Sequence, residues 1–323
     1  MKILSSRDIY AFLKSELSEF RYEYNISVPK NRQISSDWPG ETNPQILVKM
    51  AIPLFIFAAT VSRSLRDWRQ GRHPDKKLVD ILKYETRSQT SKLDATYYPI
   101  LGQLLIDLSE LDRDDRVRDF RQIVGPIIVL ASPLSTASLS RLLTIPKLDI
   151  DSELDLLHSV LDIPFDGDTD APVKLLHLSF RDFLVDPKKR EKRETNRFWI
   201  DEEKTHERLL EKCLKLLSEG EYHLRKYFYA QQIPGSRLTD IDKQNILDHL
   251  PPEVQYACLY WVYHFKGSQR RVQDGDEIHQ FLERHLLHWI ETLSLIRRVS
   301  ESIGMIGELQ SMTDVSNLVI LYL

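Results

Sequence analysis

No Gly-Lys dipeptide occurs anywhere in the 323 residues. A phosphate-cradling loop of the G-x-x-x-x-G-K-[ST] type requires that pair, so the sequence carries no such loop. It has no G-x-S-x-G nucleophile elbow either, and its abundant Asp and Glu are accounted for by helix surfaces. Cysteine is limited to Cys213 and Cys258. Both fall in helical patterns and together make neither a disulfide framework nor a thiolate metal site, a usage that fits a reducing cytosol. Long apolar runs are missing: Met50–Val61 and Val124–Leu134 fall far short of the roughly 20 residues needed to span a bilayer. The first residues lack the apolar core of a signal peptide. Charge of one sign is missing too. With 44 Lys and Arg against 48 Asp and Glu, a net charge of −4 gives no general pull toward nucleic acid or anionic lipid. These absences lead to the expectation of a cytoplasmic chain with no enzyme activity of its own and no bound metal. Only 11 glycines and few alternating β-branched runs point to a mainly helical fold.

What is present is helical periodicity. Residues 7–23 repeat apolar positions at Ile9, Phe12, Leu13, Leu17 and Phe20 behind Asp8, a predicted N-cap. A helix over 44–66 is apolar on nearly every side, and Pro53 inside it should kink or split it. The pattern stays helical from Leu78 to Leu111, with Leu101, Leu104, Leu105 and Leu108 on the stripe. Segments 117–129, 137–143 and 151–161 read as three short helices. Two extended pieces follow, 162–165 and 173–177, joined by the acidic turn Asp166–Asp170. Three helices and a β-hairpin is the winged-helix order. Beyond a basic run at Lys188–Arg193, read as a boundary or solvated loop, segments 203–217, 240–248, 253–266 and 277–297 are helical. The fold class is therefore mainly α, multi-helical, with a central winged-helix domain carrying a small β-hairpin.

The most informative stretch is Val173–Leu184, where a short apolar strand runs into His177 and an amphipathic helix starts directly after it. A histidine at such a junction can point a ring N–H at an anion. Other candidates weaken on inspection. In a winged helix that binds DNA, the segment placed to enter a groove would be 149–156. It holds four acids, Asp149, Asp151, Glu153 and Asp155, and no base, so it would repel phosphates. His279, His285 and His288 invite a metal, but only the last two share a helical face and no Cys or carboxylate set completes a site. His264, among aromatics, reads as a packed core residue.

Several segments together resemble the fungal NACHT–WD-repeat proteins, the signal-transducing NTPases of the vegetative-incompatibility type. They are Ser36–Glu41, Met50–Thr60, Leu175–Leu184, Phe198–Glu202, Thr205–Leu209 and Leu250–Cys258. The resemblance covers roughly residues 5–310. It implies the order of a NOD-like switch: 1–35 the last helix of a nucleotide-binding domain and a linker, 36–115 a helical domain, 116–186 the winged helix, 187–323 a further helical domain. It also implies ADP or ATP as the ligand of the full-length architecture, with Pro53 near the adenine and His177 on the β-phosphate of ADP. Other domains or chains of NACHT-type proteins would be the partners, with no membrane and no nucleic acid. The phosphate-binding loop and the Mg²⁺-binding acid would lie upstream, and no Trp-Asp or Gly-His repeat signature follows Leu309. The expected role is a non-catalytic relay segment. A nucleic-acid-binding winged helix and a plain helical scaffold are the alternatives.

Overall fold

The structure, a computed structural model, describes residues 5–52, 55–66, 73–85, 91–164, 170–190, 197–219, 224 and 250–312. Among them are thirteen α-helices and one two-stranded antiparallel sheet, a mainly α architecture in agreement with the sequence. Contacts gather the chain into two compact units, Met1–Gln122 with Ser152–Ile163 and Lys174–Trp199, and Ile123–Asp151 with Pro164–Val173 and Ile200–Leu323.

The first unit is built on α1 (Ser6–Ser27), which buries Ile9, Leu13, Leu17, Phe20 and Tyr24 along one stripe. Its N-cap is Ser5, not Asp8: the Ser5 hydroxyl accepts from the Asp8 N–H and the Asp8 carboxylate accepts from the Ser5 N–H, a capping box. Two helices follow, α2 (Thr42–Ala51) and α3 (Phe55–Arg66). Ile52 between them is extended at φ −75°, ψ 129°, as a residue before proline must be. The periodic run therefore splits in two, and Pro53 itself lies outside the described residues. Helices α1, α2, α3 and α4 (Pro74–Leu82) share one apolar core, with Leu13, Leu47, Phe57 and Ile81 fully buried. Arg66 closes the α3 end on the Glu16, Glu19 and Glu23 edge of α1. Next comes α5 (Lys92–Gln103), which buries Tyr97, Ile100 and Leu101.

Long α6 (Glu110–Val129) contributes its first part to this unit, where Phe120 meets Phe198 edge-on at 4.8 Å. The third helix of the expected trio is shifted. It runs as α8 (Lys147–Leu154), after α7 (Thr136–Leu143), and stops seven residues earlier than the sequence suggests. Buried Leu154, Leu157 and Val160 recur every three residues, the period of a 3-10 turn. Bonds from Leu157 N to Leu154 O and from Val160 N to Leu157 O follow that tighter winding. The hairpin is also shorter than expected: β1 (Leu161–Asp162) pairs with β2 (Lys174–Leu175), Leu161 opposite Leu175. Continuing that register would set Pro164 opposite Pro172, neither of which has an N–H to give the ladder. The acidic turn between the strands falls largely outside the described residues. Helix α9 (Leu178–Val185) buries Phe180, Phe183 and Leu184.

The second unit is organised on α11 (Pro252–Gly267), whose run Tyr260–Phe265 is apolar on almost every face. Such a helix must be covered from several sides, and it packs on α7, α10 (Glu202–Ser218), α12 (Glu277–Leu295) and α13 (Ser300–Ser311). The α10 face supplies Leu209, Leu210, Cys213 and Leu217, all buried. On α12, Trp289 lies 5.3 Å from Trp261 and donates its indole N–H to the Cys258 carbonyl at 2.8 Å. Glu253, wholly buried at the start of α11, receives the Arg141 guanidinium of α7. Both cysteines are free and buried. Helix α13 is not apparent from periodicity: Gly304 and Gly307 interrupt its pattern, and only Ser302 and Leu309 are buried. The expected helix at 240–248 and the apolar 317–323 lie outside the described residues.

Candidate functional site

His177 stands where the sequence places it, between β2 and α9, and its side chain is exposed. Its side chain also has a structural task that the sequence does not announce. With extended φ −156° and ψ 139°, it is the N-cap of α9, and its Nδ1 accepts the Ser179 backbone N–H at 3.1 Å. This satisfies one of the amides that every helix start leaves without an intrahelical partner. The cap carbonyl takes the Phe180 N–H at 3.1 Å. The other ring nitrogen, Nε2, has no protein partner among the described residues.

The same Nδ1 lies 2.7 Å from the Ser179 hydroxyl, and that hydroxyl lies 2.7 Å from the Tyr97 phenol of α5. Tyr97 is almost fully buried, with Phe180 and Phe183 of α9 at 5.1 and 5.2 Å. Burial pushes its phenol up to about 12, against a smaller downward pull from Ser179. The sequence singles out His177 as a candidate but neither Ser179 nor Tyr97. A serine two places after a potential N-cap was a faint local signal; Tyr97, 82 residues away, had none. At the far end of α9, Lys189 corrects the reading of 188–193 as solvated. Its ammonium, nearly buried, pairs with Asp94 at 2.5 Å and sits 3.8 Å over the Phe183 ring.

The segment that would have to enter a DNA groove remains acidic. Asp149 and Asp155 are exposed, while Glu153 is buried against Arg116 at 2.8 Å. Burial raises the Glu153 pKa even with that guanidinium beside it. Among the described residues no three His, Cys, Asp or Glu side chains are placed to hold a metal. His279, His285 and His288 line one stretch of α12, with the rings of the last two 5.9 Å apart. A cleft of about 890 Å³ between α10 and α12 has Glu211, Lys215, Glu277 and Arg284 on its walls and holds none of the expected site residues.

His264 is a core residue. Its Nδ1 meets Nδ1 of His206 at 2.9 Å and its Nε2 meets the Tyr256 hydroxyl at 2.8 Å. That hydroxyl also accepts the Ala131 N–H at 3.1 Å. Burial, then the neighbouring His206, holds the His264 pKa down at about 3. A tyrosine donor on one side and an imidazole on the other satisfy a neutral ring completely, so the cluster is read as structural.

These two neighbourhoods coincide with segments that carried the family resemblance, 175–184, 205–209 and 250–258. The chain is similar to a vegetative incompatibility protein. Over 276 residues, 80% of this chain, it is 26% identical to vegetative incompatibility protein HET-E-1 of Podospora anserina. The chain spans 19% of the length of that curated relative. The similarity supports a relationship with the fungal incompatibility proteins that the motifs resemble. No family model matches the chain, and no solved structure does. Among the described residues no helix is long and apolar enough to cross a membrane.

Proposed function

We propose that this chain is a non-catalytic relay segment of a NACHT-type incompatibility switch, acting in the cytoplasm through contacts with other NACHT-type domains or chains. The observation that carries the reading is the similarity to HET-E-1 over most of the chain. In this reading α6, α7, α8 and the β1–β2 hairpin form the winged helix. His177 is its contact to the β-phosphate of ADP, and Pro53 lies near the adenine. The nucleotide is held by a separate nucleotide-binding domain. The exposed His177 ring at the start of α9, with one nitrogen spent on the cap and the other open, supports that role.

Magnitudes decide how far the role extends. One hydrogen bond from an imidazole to a phosphate contributes about 1–3 kcal/mol. That is enough to bias a two-state arrangement of domains. It does not hold a nucleotide, a task normally shared among several backbone amides and a lysine. The chain by itself is therefore expected to hydrolyse no ATP and to bind ADP very weakly. The reading is tested by co-purification with a NACHT domain that carries its own phosphate-binding loop. Association that weakens when ATP replaces ADP is the expected result. No association with such domains, or steady ATP turnover by this chain alone, contradicts it.

A further inference from the structure

The tautomer of His177 follows from its neighbours. A backbone amide can only donate, so the Ser179 N–H, 3.1 Å from Nδ1, requires a lone pair on that nitrogen. The Ser179 hydroxyl lies closer to the same nitrogen, at 2.7 Å, and is favourable there only with its hydrogen turned toward Nδ1. That orientation leaves the serine oxygen as the acceptor for the Tyr97 phenol at 2.7 Å. Reversing the chain, so that serine donates to tyrosine, would set two lone pairs against each other at Nδ1. The phenol is suited to donating: burial keeps it protonated far above neutrality, and the Asp182 carboxylate pushes the same way. The Phe180 and Phe183 rings fix its position.

We infer that Ser179 and Tyr97 are positioning residues for His177: donating in series, they confine the ring proton to Nε2 and so present a hydrogen-bond donor outward from the start of α9. A neutral imidazole in water exchanges between two tautomers, one of which would offer an anion a lone pair. The series removes that state before any anion arrives. It closes only while α5 packs on α9, because Tyr97 belongs to α5 and Ser179 to α9. The protonation pattern of His177 thus reports on the packing of two helices. The value of this arrangement for anion binding rests on the proposed role of His177; the tautomer assignment does not.

The test is nitrogen-detected NMR of the full chain labelled at histidine, with His177 assigned from the signal lost in His177→Gln. For the neutral ring, the expected spectrum shows Nδ1 bare and the hydrogen on Nε2. Ser179→Ala should move it part of the way to the two-tautomer mixture of free imidazole, and Ser179→Thr should restore it. Tyr97→Phe, which keeps the ring among Phe180 and Phe183, should move it less but in the same direction. A merely structural role for either residue would lower stability and leave the pattern unmoved. A protonated Nδ1 in the parent chain, or a pattern unchanged in both Ser179→Ala and Tyr97→Phe, overturns the inference. Adding inorganic pyrophosphate separates the two ideas: a fixed tautomer whose Nε2 resonance ignores pyrophosphate counts against the anion contact alone.

Discussion

Gly267 shows how closely single atoms are placed. A Cβ there would lie 2.5 Å from the His206 ring, a distance at which something must shift. The ring has little room to yield, because its Nδ1 is held by His264 and it packs in a T-shaped contact with Tyr263, centroids 5.2 Å apart. Helix propensity alone would favour Gly267→Ala by up to ~1 kcal/mol. Overpacking of a tight contact costs about 1–3 kcal/mol, so the clash wins. Chemical denaturation of Gly267→Ala should show a lower midpoint with an unchanged slope. A raised midpoint would mean that His206 is free to move. The sequence gives no sign of this contact, since Gly267 and His206 lie on different helices. His177 is the opposite case. A strand-to-helix junction is a local pattern, and local patterns are what a sequence displays. Its use of Nδ1 as a helix cap was not legible, because histidine is not among the common N-cap residues.

Between elements, the α10–α11 pairing carries the clearest pH dependence. His264 bridges His206 of α10 and Tyr256 of its own helix, and burial holds its pKa near 3 against an ordinary 6.5. The folded state therefore refuses a proton that the unfolded chain accepts below pH 6.5. Stability contributed by this group is fully present above 6.5 and is lost as pH falls from there toward 3, with a slope of about 1.4 kcal/mol per pH unit. Denaturation midpoints measured across that window should fall with acidification, and His264→Gln should flatten the curve by about one proton. An equal slope in the variant would assign the effect elsewhere. Helix periodicity made α1, α10, α11 and α12 legible, because each buries a broad apolar stripe. It failed at α13, where two glycines and a single buried leucine leave no stripe. It also overran α8, where burial every three residues follows a tighter winding than the helical period.

At the scale of the molecule, each compact unit has its own apolar core, and the elements read from the sequence populate both. The family resemblance was legible because it rests on contiguous motifs. The Tyr97–Ser179–His177 series was not, because it joins residues 82 positions apart. His177 is proposed to contribute to a nucleotide site whose main binding groups belong to another domain. The most direct measurement is a calorimetric titration of ADP into a NACHT domain bearing its own phosphate-binding loop, mixed with this chain or with His177→Ala. The parent chain should tighten ADP binding roughly tenfold, equivalent to about 1.4 kcal/mol. His177→Ala should lose that gain, and the chain alone should show no micromolar affinity. Equal effects of the parent chain and His177→Ala, or micromolar ADP binding by the chain alone, would contradict it.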